Sequence, residues 1–243
     1  MRREDNVISL AWPVSPLRDA IAVDEVHLWS WTLERSAVDL SADRELLDDQ
    51  ERQRLGRFHF VQDRDRYAAA HGNLRRILGA YLGQPPGTIR FRVNRFGKPE
   101  LADSSSCLSF NLTHTQKIAI VAVAYEAPVG VDAEEIHPIE PEVADMHFSP
   151  AELSQLKTLK GDARLTGFFR CWTRKEAVLK GEGVGLHLPL DSFDVSLGET
   201  AELLEARQRF SYRWNLHHLE PAAGVVGALA TPLSHPKVCF FSM

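Results

Sequence analysis

The segment Val129-Gly130-Val131-Asp132-Ala133-Glu134 carries two carboxylates two positions apart in a run that reads as a β-strand. Alternate side chains of a strand share a face, so Asp132 and Glu134 project together while Val131 and Ala133 point the other way. Adjacent carboxylates repel and a cation resolves the repulsion. An all-oxygen pair with no histidine or cysteine beside it favours a hard ion such as Mg²⁺. The same residues also read as a solvated strand end running into Glu135, and the segment alone leaves both readings open. Farther along, Trp172, Glu176 and Lys180 stand four apart and share one helical face. A tryptophan there can pack that face against a sheet and keep Glu176 partly buried. Glu176 would then complete a three-carboxylate magnesium site while Lys180 reaches a phosphate as a point charge. The competing reading is a surface Glu–Lys pair worth about 0.2–0.5 kcal/mol.

Two further features bear on anions. Phe110-Asn111-Leu112-Thr113-His114-Thr115 reads as a strand ending in hydroxyl and imidazole groups, suited to an anion or a ribose, although a lone histidine is as readily structural. Arg52, Arg54, Arg57, Arg64, Arg66, Arg75 and Arg76 cluster in a chain of formal net charge -5, with Asp63 and Asp65 balancing part of the patch. That net charge gives no global attraction to nucleic acid or an anionic membrane, so a polyanion has to meet a local basic patch. Cys107, Cys171 and Cys239 are odd in number and lack metal-ligand spacing, which reads as reduced thiols. No HExxH pairing and no P-loop is present, which argues against zinc-hydrolase chemistry and common nucleotide folds. The amino terminus, MRREDNVISLAWPVSPLRDA, has no sustained apolar stretch, and the longest apolar run, residues 118–125, is too short to span a bilayer. A cytoplasmic location without signal peptide or membrane span is the expectation.

The elements that must position these groups follow from periodicity. A strand is expected over residues 26–33, then a helix started by Ser41 with Asp43 and Glu45 in its first turn, then a long helix over 62–82. A strand at 89–93 and a turn at 94–97 precede strands at 108–112, 118–124 and 129–134, expected as the middle of one antiparallel sheet. Helices follow at 141–147, from a Ser149 cap with Pro150 in the first turn, and from Asp162 to the Gly181 and Gly183 stop. Strands return at 193–197, 210–218 and 225–230, with a last one at 238–241. With 44% hydrophobic and 25% charged residues, this order predicts an α+β fold with helices grouped against antiparallel strands in two halves.

Taken in this order, the pieces resemble the Sfp-type 4'-phosphopantetheinyl transferases. The resemblance runs from about Arg54 through Phe193. It rests on Gly130-Val131-Asp132-Ala133-Glu134 and Trp172-Thr173-Arg174-Lys175-Glu176-Ala177-Val178-Leu179-Lys180, with Gly97-Lys98-Pro99, Phe110 to His114, Gly183-Val184-Gly185-Leu186 and Pro189 to Phe193 in support. It implies two similar α+β halves, residues 1–125 and 126–243, forming a pseudo-dimer within a monomer, with coenzyme A in the cleft between them. It implies transfer of the 4'-phosphopantetheine of coenzyme A to a serine of an apo acyl or peptidyl carrier protein, with 3',5'-ADP leaving. Asp132, Glu134 and Glu176 would hold Mg²⁺ on the pyrophosphate and Lys180 would contact the same phosphates. Lys98 and Pro99 would lie along adenine and ribose. Thr113 and His114 would meet the phosphates, His114 the 3'-phosphate, with Arg54 and Arg66 in matching basic positions. Glu51 stands where some members carry a lysine, and Tyr67 where some carry a small hydroxyl residue. A serine nucleophile needs a base. Glu176 is favoured, directly or through a metal-bound water, with Glu152 in reserve. Two other readings stand beside this one: a non-catalytic module that binds coenzyme A or a carrier domain, and a magnesium-dependent hydrolase of a nucleotide pyrophosphate.

Overall fold

The computed structural model describes residues 12–243, so the first eleven residues of the segment weighed as a signal peptide lie outside the described residues. Strand β1 (Glu25–Thr32) is followed by helix α1 (Ala37–Leu46). That helix begins at Ser36 rather than Ser41: Ser36 has extended backbone and its hydroxyl accepts the Asp39 N–H at 3.2 Å, satisfying an amide the helix leaves free. Asp43, expected in a first turn, therefore lies inside the helix, fully buried and paired with Arg35 and Arg76. Helix α2 (Asp49–Leu55) starts in a capping box of Asp48 and Glu51, and the 22-residue α3 (Val61–Leu82) ends at Gly83, whose φ of 61° is left-handed. A ribbon of β2 (Phe91–Val93) and β3 (Pro99–Leu101) leads into β4 (Leu108–His114) and β5 (Ile118–Tyr125).

The same order then repeats. Strand β6 (Gly130–Glu135) precedes α4 (Pro141–His147), α5 (Pro150–Thr158) and the 22-residue α6 (Gly161–Glu182), which stops at left-handed Gly183. A ribbon of β7 (Phe193–Val195) and β8 (Leu203–Ala206) leads into β9 (Asn215–Ala222) and β10 (Val225–Thr231). β9 begins later than its residue types suggest because Ser211 N and Trp214 Nε1 both donate to Glu182 Oε1, which holds the connection to the end of α6. β8 has no sequence expectation behind it, being four residues at a partly exposed edge.

Strands β4, β5 and β6 do not share one sheet. The first sheet runs β11-β1-β5-β4, with β11 (Lys237–Ser242) parallel to β1, and the second runs β6-β10-β9. The chain breaks from β5 at Glu126, a non-glycine residue with φ 55°, and Pro128, so β6 enters the second sheet instead of extending the first. Alternation then sorts the side chains into layers. Trp29, Trp31, Val121 and Val123 pack on Ile77 and Leu78 of α3; Leu28, Ile120 and Ala122 face Val131, Ala133, Leu219 and Leu229 of the second sheet; Val226, Ala228 and Ala230 pack on α6. The order is helix, sheet, sheet, helix, an α+β fold. Arg75, one of the clustered arginines, is fully buried and bonded to Asp48, Glu51 and the Ile89 carbonyl.

Candidate active site

β4 and β6 are edge strands of different sheets, and side chains join them. Asn111 Oδ1 accepts the Val131 N–H at 2.8 Å, so an amide of one edge is satisfied by a side chain of the other. Val131 and Ala133 lie between the sheets, which leaves Asp132 and Glu134 on the face toward α6. Glycine sets how close that helix comes. A Cβ on Gly130 would fall 2.0 Å from the Ala177 carbonyl oxygen and 2.4 Å from the Gly181 nitrogen, so only glycine permits the contact. Lys98 ties the same two elements from the side, donating to the Val129 carbonyl at 3.3 Å and the Gly181 carbonyl at 3.1 Å. Burial pushes its ammonium down to about 8.

Within this contact Lys180 Nζ lies 2.5 Å from Asp132 Oδ1, and the Thr113 hydroxyl donates to the same oxygen at 3.2 Å. The other oxygen of Asp132 is buried with no hydrogen-bond partner. Burial first, then the charge of Asp132, pushes Glu134 up to about 7. The same two causes raise Glu176, against the opposing charge of Lys180. The three carboxylates are thus electrostatically coupled across a strand and a helix. An orphaned carboxylate oxygen beside two acids pushed toward neutrality lacks positive charge, and all-oxygen donors suit Mg²⁺. The oxygens of Asp132, Glu134 and Glu176 do not all lie within 4.8 Å of one another, so these side chains have to draw together for all three to share one ion.

The remaining expected residues divide. Arg66, His114 and Glu134 line one cavity of about 380 Å³ together with Tyr67. Burial, and then the charges of His71, Lys180 and Arg66, hold the His114 imidazole below its ordinary range against a hydrogen bond from His114 Nδ1 to the Thr115 carbonyl that raises it. Asp63 lines the same cavity and pairs with Arg66 at 3.2 Å. Arg54 stands over the Tyr67 ring, 5.8 Å from its centroid, and Tyr67 stacks on His71. Glu51 turns inward to Arg75 and His71, so its side chain is not offered to that cavity. Thr113 points at Asp132 rather than into the cavity, and Lys98 and Pro99 line a separate cavity of about 310 Å³ with Asn94 and Tyr212. Trp172 packs against His147 of α4 and Phe168, at the margin of the core that also holds Val226, Ala228 and Ala230 of β10, and it shares the half-buried stripe with Glu176 and Lys180.

Glu152 is placed away from this group. It is buried, its Oε2 accepts the Ser149 N–H, and its Oε1 accepts the Val195 N–H at 2.8 Å and pairs with Lys175 at 2.8 Å. With both oxygens committed it braces α5 to α6 and β7 and has no free lone pair aimed at solvent. Sequence reasoning gave no role to Gly130, Asn111 or Lys175. An asparagine inside an apolar strand and a lysine on the buried face of a helix are the signals that would have found the last two.

Fold and site together define an α+β protein that presents an acidic, cation-ready pocket beside a cavity lined by arginine and histidine. Residues 30–126 match the family described as 4'-phosphopantetheinyl transferase, N-terminal, and residues 128–230 match the 4'-phosphopantetheinyl transferase superfamily. The chain is 36% identical over 223 residues to the 4'-phosphopantetheinyl transferase HetI of Nostoc sp., covering 90% of this chain and 92% of that protein. It is 31% identical over 157 residues to the 4'-phosphopantetheinyl transferase Sfp of Bacillus subtilis, covering 65% and 69%. The L-aminoadipate-semialdehyde dehydrogenase-phosphopantetheinyl transferase of Xenopus laevis is 31% identical over 161 residues, covering 60% and 53%. The chain belongs to the 4'-phosphopantetheinyl transferase family.

Proposed function

We propose that this chain transfers the 4'-phosphopantetheine group of coenzyme A to a serine hydroxyl of an apo acyl or peptidyl carrier protein and releases 3',5'-ADP. The observation that carries the reading is the coupled group of Asp132, Glu134, Glu176 and Lys180, with one buried Asp132 oxygen unpartnered, at the edge of a basic cavity. Asp132, Glu134 and Glu176 would hold Mg²⁺, which would neutralise charge on the pyrophosphate. Lys180 adds a point charge beside the phosphates, and Thr113 keeps Asp132 oriented. Arg66 and His114, with Arg54 behind Tyr67, receive the 3'-phosphate; Pro99 and the Lys98 stem border the nucleoside end. In the transfer step the serine oxygen bonds to the pantetheine-side phosphorus, the bond from that phosphorus to the oxygen of 3',5'-ADP breaks, and the serine proton passes to Glu176. A carboxylate raised above its usual range is the better base.

The repeated element order supports a pseudo-dimer of two halves meeting near Tyr125, working as a monomer, with β11 returning to the first sheet. Among the described residues no helix is long and apolar enough to cross a membrane. Incubation with coenzyme A, Mg²⁺ and a panel of apo carrier domains, read by intact mass, tests the proposal. A phosphopantetheine mass gain on a carrier and stoichiometric 3',5'-ADP are expected. Coenzyme A binding with no mass gain in a single turnover would make the chain a binding module, and coenzyme A cleavage without any carrier would make it a hydrolase.

A further inference from the structure

Strand β11 lies at the opposite edge of the first sheet from β4, and its parallel register sets Cys239 level with His27 and Lys237 level with Glu25. Glu25 and His27 share a face of β1. A carboxylate oxygen of Glu25, a ring nitrogen of His27 and the sulfur of Cys239 all lie within 4.8 Å of one another, the only such trio among the described residues. Around a tetrahedral zinc ion with bonds of about 2.0–2.3 Å, ligand atoms stand about 3.3–3.8 Å apart. The trio needs to close by only about 1 Å to share an ion.

We propose that Glu25, His27 and Cys239 form a second cation site, for a thiolate-binding divalent ion of which Zn²⁺ is the best match, that clamps the last strand of the chain to the first. One thiolate, one imidazole and one carboxylate suit zinc and disfavour Mg²⁺, with the fourth position left to water. The histidine is already oriented. Trp29 Nε1 donates to Tyr81 Oη at 2.9 Å, Tyr81 Oη lies 2.6 Å from His27 Nδ1, and His27 Nε2 lies 3.1 Å from Glu25 Oε2. With Trp29 donating to it, the Tyr81 hydroxyl gives its proton to Nδ1, and Nε2 carries the ring proton. The edge of the ring also meets Phe241 at 5.1 Å.

An ion at Nε2 displaces that proton to Nδ1, where Tyr81 Oη accepts it, the outer-sphere hydrogen bond that ligating histidines use. The Cys239 S–H bond breaks and its proton leaves to solvent, so one proton is released per ion bound. Thiolate and carboxylate supply two negative charges to the dication, while Glu25 Oε1 also holds Lys237 at 2.7 Å, so the loaded site with Lys237 carries one net positive charge. Arg18 lies over Phe241.

The test is a Co²⁺ titration of the chelator-treated full chain in excess Mg²⁺. Saturation at one equivalent with a thiolate-to-cobalt charge-transfer band is expected, and Zn²⁺ displaces it. Cys239→Ser loses the band, Tyr81→Phe weakens Co²⁺ binding about tenfold, and Zn²⁺ raises the melting temperature of the unmutated chain but not of Cys239→Ser. On the unmutated chain, Zn²⁺ also protects Cys239 from a thiol reagent, which decides the matter even if the serine variant does not fold. Cobalt bound with no thiolate band, the band persisting in Cys239→Ser, or no protection of Cys239 overturns the proposal.

Discussion

Lys180 from the end of α6 and Asp132 from the middle of β6 meet at 2.5 Å, and the Thr113 hydroxyl of β4 bonds the same carboxylate oxygen, so a helix and one strand from each sheet converge on one atom. Lys180→Ala removes the cation paired with Asp132. Transfer is expected to fall by on the order of a hundredfold or more, with the melting temperature near that of the parent because the side chain is partly exposed. Asp132→Ala and Glu176→Gln are expected to abolish transfer and Mg²⁺ binding while circular dichroism stays unchanged. Near-normal turnover in either would remove the metal assignment.

The cavity of Arg66 and His114 sets the second expectation. Arg66→Ala raises the coenzyme A concentration needed for half-maximal rate and leaves the rate at saturation nearly unchanged. Dephospho-coenzyme A, which lacks the 3'-phosphate, is used poorly by the parent and no worse by the variant. Equal use of both compounds by the parent would show that the 3'-phosphate is bound elsewhere.

Gly130 has no room for a methyl group, given a Cβ position 2.0 Å from the Ala177 carbonyl oxygen. Gly130→Ala must push β6 off α6, separating Asp132 from Glu176. Overpacking of this kind costs about 1–3 kcal/mol, and loss of transfer is expected even in the fraction that remains folded. A fully active, equally stable variant would contradict the close approach.

Glu152 and Lys175 are buried partners, so removing one leaves the other charged and alone. Glu152→Gln is expected to destabilise the chain by about 3–5 kcal/mol in urea unfolding. Its transfer rate per folded molecule is expected to be unchanged, which a direct role as base would not allow.

Lys98 sets a pH dependence. Its folded value of about 8 lies below the ordinary 10.5, so between those values the unfolded chain holds more protons than the folded one. Stability therefore gains a component that rises from pH 8 to 10.5. Denaturant midpoints across that window should rise more in the parent than in Lys98→Met; parallel curves would mean the ammonium is not held as described.

The faces of β6 and α6 are legible in the sequence because strand and helix periods fix them locally: Asp132 with Glu134, and Trp172 with Glu176 and Lys180, need no partner to be sorted. Helix ends are legible for the same reason at Ser149 with Pro150 and at Gly183, where a cap or a left-handed residue acts within one turn. Ser36 replaced Ser41 as a cap because several hydroxyl residues fit the local pattern and the exit from β1 chose among them. The tertiary structure alone decided that β6 leaves the first sheet, that Thr113 serves Asp132, that Glu152 is spent on Lys175, and that β11 returns to set Cys239 beside His27. Those contacts join residues tens to hundreds of positions apart. Only the packing of the finished layers determines them, since no local periodicity records which distant backbone will arrive.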